Sequence, residues 1–385
     1  MSFKKGFLVI VALVCTLMTA NVSSAAGDPW RAKMSELSTA LSEAIPCLYA
    51  ASEQNCKDFS GKVKRLYEIS NQLDGKFGHV TKPDSDPALP YIAGLLREDI
   101  ARANQSIQEG HVEYAKSVVR FSVAYCIACH TRTRMGTEFP LIKAFSEPLK
   151  HASWIEKLEF QTASRQFDPV LAEVTKQLES PGTTGISPMD LDRASRMALS
   201  VIVRFKQDPD RAMFLTEAII KSKSATFAMK ESAKQWKKDI RVWQDEKNKK
   251  YATDKDLIEA ARPLAAIDAA DVPLGGHNEV RFLRASALMH DLLRRFPKSN
   301  YAAESLYYIG LSYDALREIG LWSLQEMYYL ACIDKAPNTE QSAKCFRRFE
   351  ESVTLGYSGS SGTHMPSAVR RHLDGVKQKA IVKKE

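Results

Sequence analysis

The sequence predicts an all-α protein, and two observations carry that prediction. Apolar residues recur at three- and four-residue spacing along nearly the whole chain, while alternating strand-like runs are scarce. The breaks between these stretches are short and hold residues that stop helices, as in Pro181-Gly182-Thr183-Thr184-Gly185, Asp208-Pro209-Asp210 and Pro273-Leu274-Gly275-Gly276. A chain of 385 residues can form two or more domains, and the pattern divides near residue 136 into four helical segments and then roughly ten more.

Residues 1–26 read as a leader. Lys4 and Lys5 form a basic start, Gly6 to Met18 is nearly all apolar, and Ser23-Ser24-Ala25-Ala26 offers small residues for cleavage. That run is too short to cross a bilayer, and no later stretch reaches the roughly 20 apolar residues that a span requires. Cys15, preceded by Val14, matches a lipidation signal poorly. The expectation is therefore an exported, periplasmic protein without a transmembrane segment.

Residues 27–136 hold the four segments of the first domain. The first places Trp30, Met34, Leu37, Leu41, Ile45 and Leu48 on one stripe, with Pro46 as a kink or an end; the second does the same with Phe59, Val63, Leu66 and Leu73. Gly75 to Asp86 is a loop, and Asp86-Pro87 starts the third segment with a capping acceptor before a proline. That segment carries Ile92, Leu95, Leu96, Ile100, Ala103 and Ile107. The fourth starts near His111 and brings Val119, Val123, Cys126 and His130 onto one face. Short connections favour an up-down-up-down bundle, which would put Met34 and His130 at the same end.

Loss of Lys4 and Lys5 with the leader lowers the net charge from +8 to +6, too mild and too dispersed for nucleic-acid binding. Cleavage also removes Cys15 and leaves six cysteines. Cys47 with Cys56, and Cys332 with Cys345, each bracket a helix-to-helix turn and form the expected disulfides; two buried free thiols per pair are the alternative.

The remaining two stand in Cys126-Ile127-Ala128-Cys129-His130, a CxxCH box. Two thiols at this spacing can each form a thioether with a haem vinyl group, and the histidine that follows reaches the iron as an axial ligand. A thioredoxin-like redox pair would need a βαβ context, and a structural zinc a second Cys or His pair; neither pattern is present. One covalent haem c is the expected cofactor. Met34 is the candidate distal ligand, with a core methionine filling the stripe as the equal alternative. His79, His111 and His151 are weaker candidates.

This region resembles the class II cytochromes of the cytochrome c′ and cytochrome b562 type. The match lies in Cys126 to Arg134 at the end of a fourth helix, and in Met34-Ser35-Glu36-Leu37-Ser38-Thr39-Ala40-Leu41 in a first. The resemblance implies a four-helix haem bundle with His130 proximal and Arg134, four residues on, near a haem propionate. It covers roughly 105 residues, under a third of the chain. A class I cytochrome is the competing haem fold, with Met189 as its downstream ligand; it would leave the four segments before the box unexplained.

Residues 150–355 read as helical hairpins. Arg193-Ala194-Ser195 with Arg204-Phe205 is echoed in register by Arg284-Ala285-Ser286 with Arg295-Phe296. Repeated helix pairs mark an α-solenoid, whose units bury their apolar faces only by stacking. Ala285, Met289 and Phe296-Pro297, then Leu306, Ile309-Gly310 and Tyr313, resemble tetratricopeptide repeats, with the glycine admitting close helix approach. Beyond Trp322 the pattern departs from that family. An irregular helical domain without a binding groove is the alternative. Lys234 to Lys250 reads as a solvated helix face with Trp236 and Trp243 packed inward, and residues 356–385 as a mobile tail with a possible final helix. His364-Met365 is a weak candidate for haem or metal.

No nucleophile triad, phosphate loop or HExxH motif is present. The sequence thus points to an electron carrier rather than an enzyme: an exported monohaem cytochrome whose repeats dock a protein redox partner. An NO- or CO-binding sensor or detoxification protein, and an interaction scaffold with structural haem, are the other readings. Homodimerisation is left open.

Overall fold

The structure, a computed structural model, describes residues 29–49, 56, 58–73, 86–132, 148–180, 185–266, 278–316 and 321–381. The described residues are all-helical apart from one two-residue hairpin, as the 3.6-residue periodicity requires. The leader, with Lys4, Lys5 and Cys15, lies outside them, as do His79 and Arg134.

Four helices come first: α1 (Pro29–Leu48), α2 (Phe59–Asn71), α3 (Ala88–Gln108) and α4 (Val112–His130). α1 packs on α2 and α4, and α3 packs on α2 and α4. The predicted stripes are what they bury: Leu37, Ile45 and Leu48; Phe59, Val63, Leu66 and Leu73; Ile92, Leu96, Ile100 and Ala103; Val119 and Val123. Pro46 falls inside the last turn of α1, where it cannot donate to the Ser42 carbonyl, and the helix ends two residues later. The Cys47–Cys56 disulfide ties that end to the start of α2, with Cα atoms 4.8 Å apart.

A 3-10 turn (Pro148–His151) leads into α5 (Trp154–Ala163), α6 (Phe167–Glu179) and α7 (Pro188–Ser200). Ser153 starts α5 through a capping box with Glu156. α7 continues without a break into a π-helical turn, Val201–Lys206. Then follow α8 (Pro209–Lys221), α9 (Phe227–Asp245), α10 (Asp254–Ala265), α11 (Glu279–Arg295), α12 (Ala302–Leu316), α13 (Leu324–Lys335) and α14 (Glu340–Gly356). From α10 onward each helix packs on the next, and α10 with α12 and α12 with α14 also touch. A second disulfide, Cys332–Cys345, closes the α13–α14 turn.

Trp236 is fully buried and Trp243 packs against the same core, as expected of an inward face. Gly310 does admit a close approach: a Cβ there would lie 2.5 Å from the Tyr329 ring of α13. The echoed Ala194 and Ala285 are both buried, and so are Ser195 and Ser286; their arginines diverge, since Arg193 meets Glu159 at the surface while Arg284 is buried against Glu246. The Gly/Ser tail forms an antiparallel hairpin, Ser358–Gly359 against Gly362–Thr363, and then α15 (Ser367–Ala380). The Ala380 and Lys379 carbonyls, at the end of α15, accept from Ser342 Oγ and the Asn338 amide.

Two apolar clusters result. One is built from α5 to α9 and the start of α11; the other joins the core of α1–α4 to α10–α14. The two ends of the chain therefore share a core, and α3 lies directly against α13.

Candidate functional site

Cys126, Cys129 and His130 occupy the last two turns of α4, and 3.6-residue spacing brings all three to one side. They line a largely apolar cavity of about 80 Å³ together with Met34, Leu37 and Leu41 of α1, Ile92 and Leu96 of α3, and Phe160 and Ala163 of α5. Residues 96 positions apart in sequence, Met34 and His130, are thus brought to one cavity. At 80 Å³ it is below the ~300 Å³ common for ligand pockets, so admitting a large planar group requires the helices to part.

His130 Nδ1 makes a short hydrogen bond to the Ala163 carbonyl at the end of α5. With Nδ1–H donating there, Nε2 is the nitrogen that a metal would take, the usual outer arrangement of a metal-binding histidine. Burial, with the nearby Arg165 charge, pushes the imidazole pKa down to about 4, although the carbonyl opposes this. The ring is neutral at pH 7, as a ligand must be.

The two thiols are not disulfide-bonded, unlike the other two pairs. Burial, with mutual repulsion, pushes Cys126 up to about 12, and burial raises Cys129 as well. Redox-active CxxC pairs sit where a helix N-terminus stabilises thiolate; these sit at the C-terminal end of a 19-residue helix, where dipole and burial both favour the protonated thiol. Among the described residues no group of three or more His, Cys, Asp or Glu is placed to hold a metal ion.

Met189 stands 82% exposed at the start of α7 and does not line this cavity. His151 and His364 are exposed, and His111 precedes α4 at its far end. Arg134 lies outside the described residues. Arg132, two residues closer to His130, is buried instead.

Arg132 belongs to a polar network that sequence reasoning did not find. Its Nη1 donates to the Tyr328 hydroxyl of α13 at 2.9 Å, and that hydroxyl donates to Asp86 Oδ1 at 2.6 Å. Asp86 Oδ1 also accepts from the Ala88 amide at the start of α3, the capping role read from sequence. Its Oδ2 faces Arg132 at 3.8 Å and His290 Nδ1 at 3.7 Å. Tyr313 stacks on Tyr328 at 5.4 Å, lies 3.3 Å from His290 Nε2, and has Arg132 and Arg204 over its ring. Burial works against the Asp86 carboxylate, but His290, Arg132, Tyr328 and the Ala88 amide hold its pKa below the ordinary range. Burial, aided by Arg132 and Arg204, pushes His290 down to about 4.

Two backbone irregularities place the arginines. The π-helical turn widens the backbone at Arg204, and Arg165 sits at φ 60° between α5 and α6. Neither has a sequence signature comparable to a CxxCH box. A buried charged residue at a loop, such as Arg165, could have been flagged only with burial in hand.

Among the described residues no helix is long and apolar enough to cross a membrane. Comparison with models of protein families, with curated proteins and with solved structures yields no match to this chain.

Proposed function

We propose that this protein is an exported monohaem c-type cytochrome, an electron carrier in which α1–α4 form a class II-like four-helix haem bundle. The observation that carries the reading is the convergence of Met34, Cys126, Cys129 and His130 on one apolar cavity, with His130 oriented by Ala163. A haem held there would supply one-electron exchange at its iron. Cys126 and Cys129 would anchor it by thioethers, His130 would ligate through Nε2, and Met34 would face it from α1. Leu37, Leu41, Ile92 and Leu96 would keep water from the site. The successive and alternate packing of α10–α14 supports stacked hairpins, a surface suited to docking a protein redox partner. The two disulfides and the leader sequence support a periplasmic location.

The test is expression of the full chain in a bacterial host with periplasmic c-type maturation. Haem that stays with the chain under denaturing conditions, and is lost in Cys126→Ser/Cys129→Ser, is the expected result; absence of covalent haem from the parent chain refutes the proposal. Ligation by Met34 predicts a low-spin ferrous spectrum that ignores CO and is lost in Met34→Ala. A high-spin iron that takes up CO in the parent chain would favour gas binding over electron transfer.

A further inference from the structure

We propose that Tyr328 of α13 is a positioning residue for the haem-binding histidine, acting through Arg132 and Asp86, so that the C-terminal helices belong to the redox site. This rests on the haem reading above. Arg132 lies in the turn that ends α4, two residues after His130, so a restraint on its guanidinium is a restraint on the last turn that carries the imidazole. Part of that restraint is the Tyr328 hydroxyl, which acts beside the Tyr313 ring and Asp86 Oδ2. Tyr328 accepts from Arg132 and donates to Asp86, joining the end of α4, the start of α3 and the middle of α13 across 196 and 242 residues of sequence.

The hydroxyl is held in place by its surroundings. Tyr328 is fully buried and stacks on Tyr313, which His290 of α11 meets from the side. Charges in such an interior act over longer range than in water, and Arg132 stands two residues past His130 and three past Cys129. A buried cation near iron favours the ferrous state, and a buried carboxylate favours the ferric state. The balance between Arg132 and Asp86 therefore sets part of the reduction potential, and Tyr328 fixes that balance. Without the hydroxyl, Asp86 loses a donor and Arg132 an acceptor, and the guanidinium turns further toward the carboxylate. Both changes weaken the positive field at the haem.

The experiment is redox titration of the haem-loaded full chain, followed in its visible spectrum, for Tyr328→Phe and Asp86→Asn. Tyr328→Phe should keep helix content and haem yield yet shift the one-electron equilibrium toward ferric iron at least threefold, which is about 28 mV at 59 mV per tenfold. Asp86→Asn keeps the shape and removes the negative charge, so its shift should be of similar size and opposite sign. A purely structural clamp would not give shifts of opposite sign. Unchanged potentials in both variants, or shifts of the same sign, overturn the proposal. If Tyr328→Phe fails to fold, the sign of the Asp86→Asn shift decides. A parent chain without covalent haem overturns the function and this inference together, whereas a haem-loaded parent with unshifted variants overturns this inference alone.

Discussion

Replacing Gly310 by alanine should destabilise the protein even though alanine is the better helix former. In open helix interior the exchange gains about 0.5–1 kcal/mol. At Gly310 the new Cβ would stand 2.5 Å from Tyr329 Cε1, 2.8 Å from Cδ1 and 3.1 Å from Cζ. Non-bonded carbons settle at about 3.5–4.0 Å, so the ring must retreat by roughly 1 Å. It has little room to do so, because Tyr329 is fully buried beside Tyr307 and next to the α13 core. Overpacking of this kind costs about 1–3 kcal/mol, which leaves a net loss on the order of 1 kcal/mol. Gly375, exposed on α15 with no atom within 4 Å of a Cβ, is the control, and alanine there should raise stability by about 0.5–1 kcal/mol. Urea unfolding followed by circular dichroism reads both as midpoint shifts. A midpoint for Gly310→Ala at or above that of the parent chain would refute the close packing of α12 on α13.

Two other outcomes are expected. Cys332→Ser/Cys345→Ser opens a loop of 13 residues and should lower stability by about 2–3 kcal/mol in an unfolding titration, with no effect on haem attachment. His290 is buried with its pKa down at about 4, below the ordinary 6.5, so the unfolded chain binds more protons between these values and stability must fall as pH drops from 6.5 toward 4. His290→Gln should flatten the slope in that window by up to one proton, about 1.4 kcal/mol per pH unit, and an unchanged slope would rule out a neutral buried imidazole.

What the sequence made legible is what local chemistry determines. Periodicity located the buried stripes of α1–α4, and Asp86-Pro87 marked the start of α3, because a stripe and a cap depend on residues within a turn or two. The cysteine pairing was legible because the partners of each pair lie only 9 and 13 positions apart. The Asp86–Tyr328–Arg132 network was not. Its members lie up to 242 positions apart, and each has an ordinary local explanation as a cap, a core aromatic or a surface base. Arg204 is half of a repeat signature in the sequence, yet it is buried in the π-helical turn, while the echoed Arg295 reaches the Tyr251 and Ala252 carbonyls at the surface. Met189 shows the converse: a plausible ligand by spacing that stands exposed at the start of α7.

The bond between His130 and the Ala163 carbonyl bears on how this protein can be divided. A fragment cut just after the CxxCH box would retain both thiols and the imidazole, yet the atom that selects the ring's tautomer would be left on the discarded piece. If the cavity holds haem as proposed, a transplant of that unit onto another carrier should therefore keep the chain to the end of α5. The smallest fragment that keeps His130 in this orientation is set by a backbone oxygen 33 residues past it, not by the CxxCH box alone.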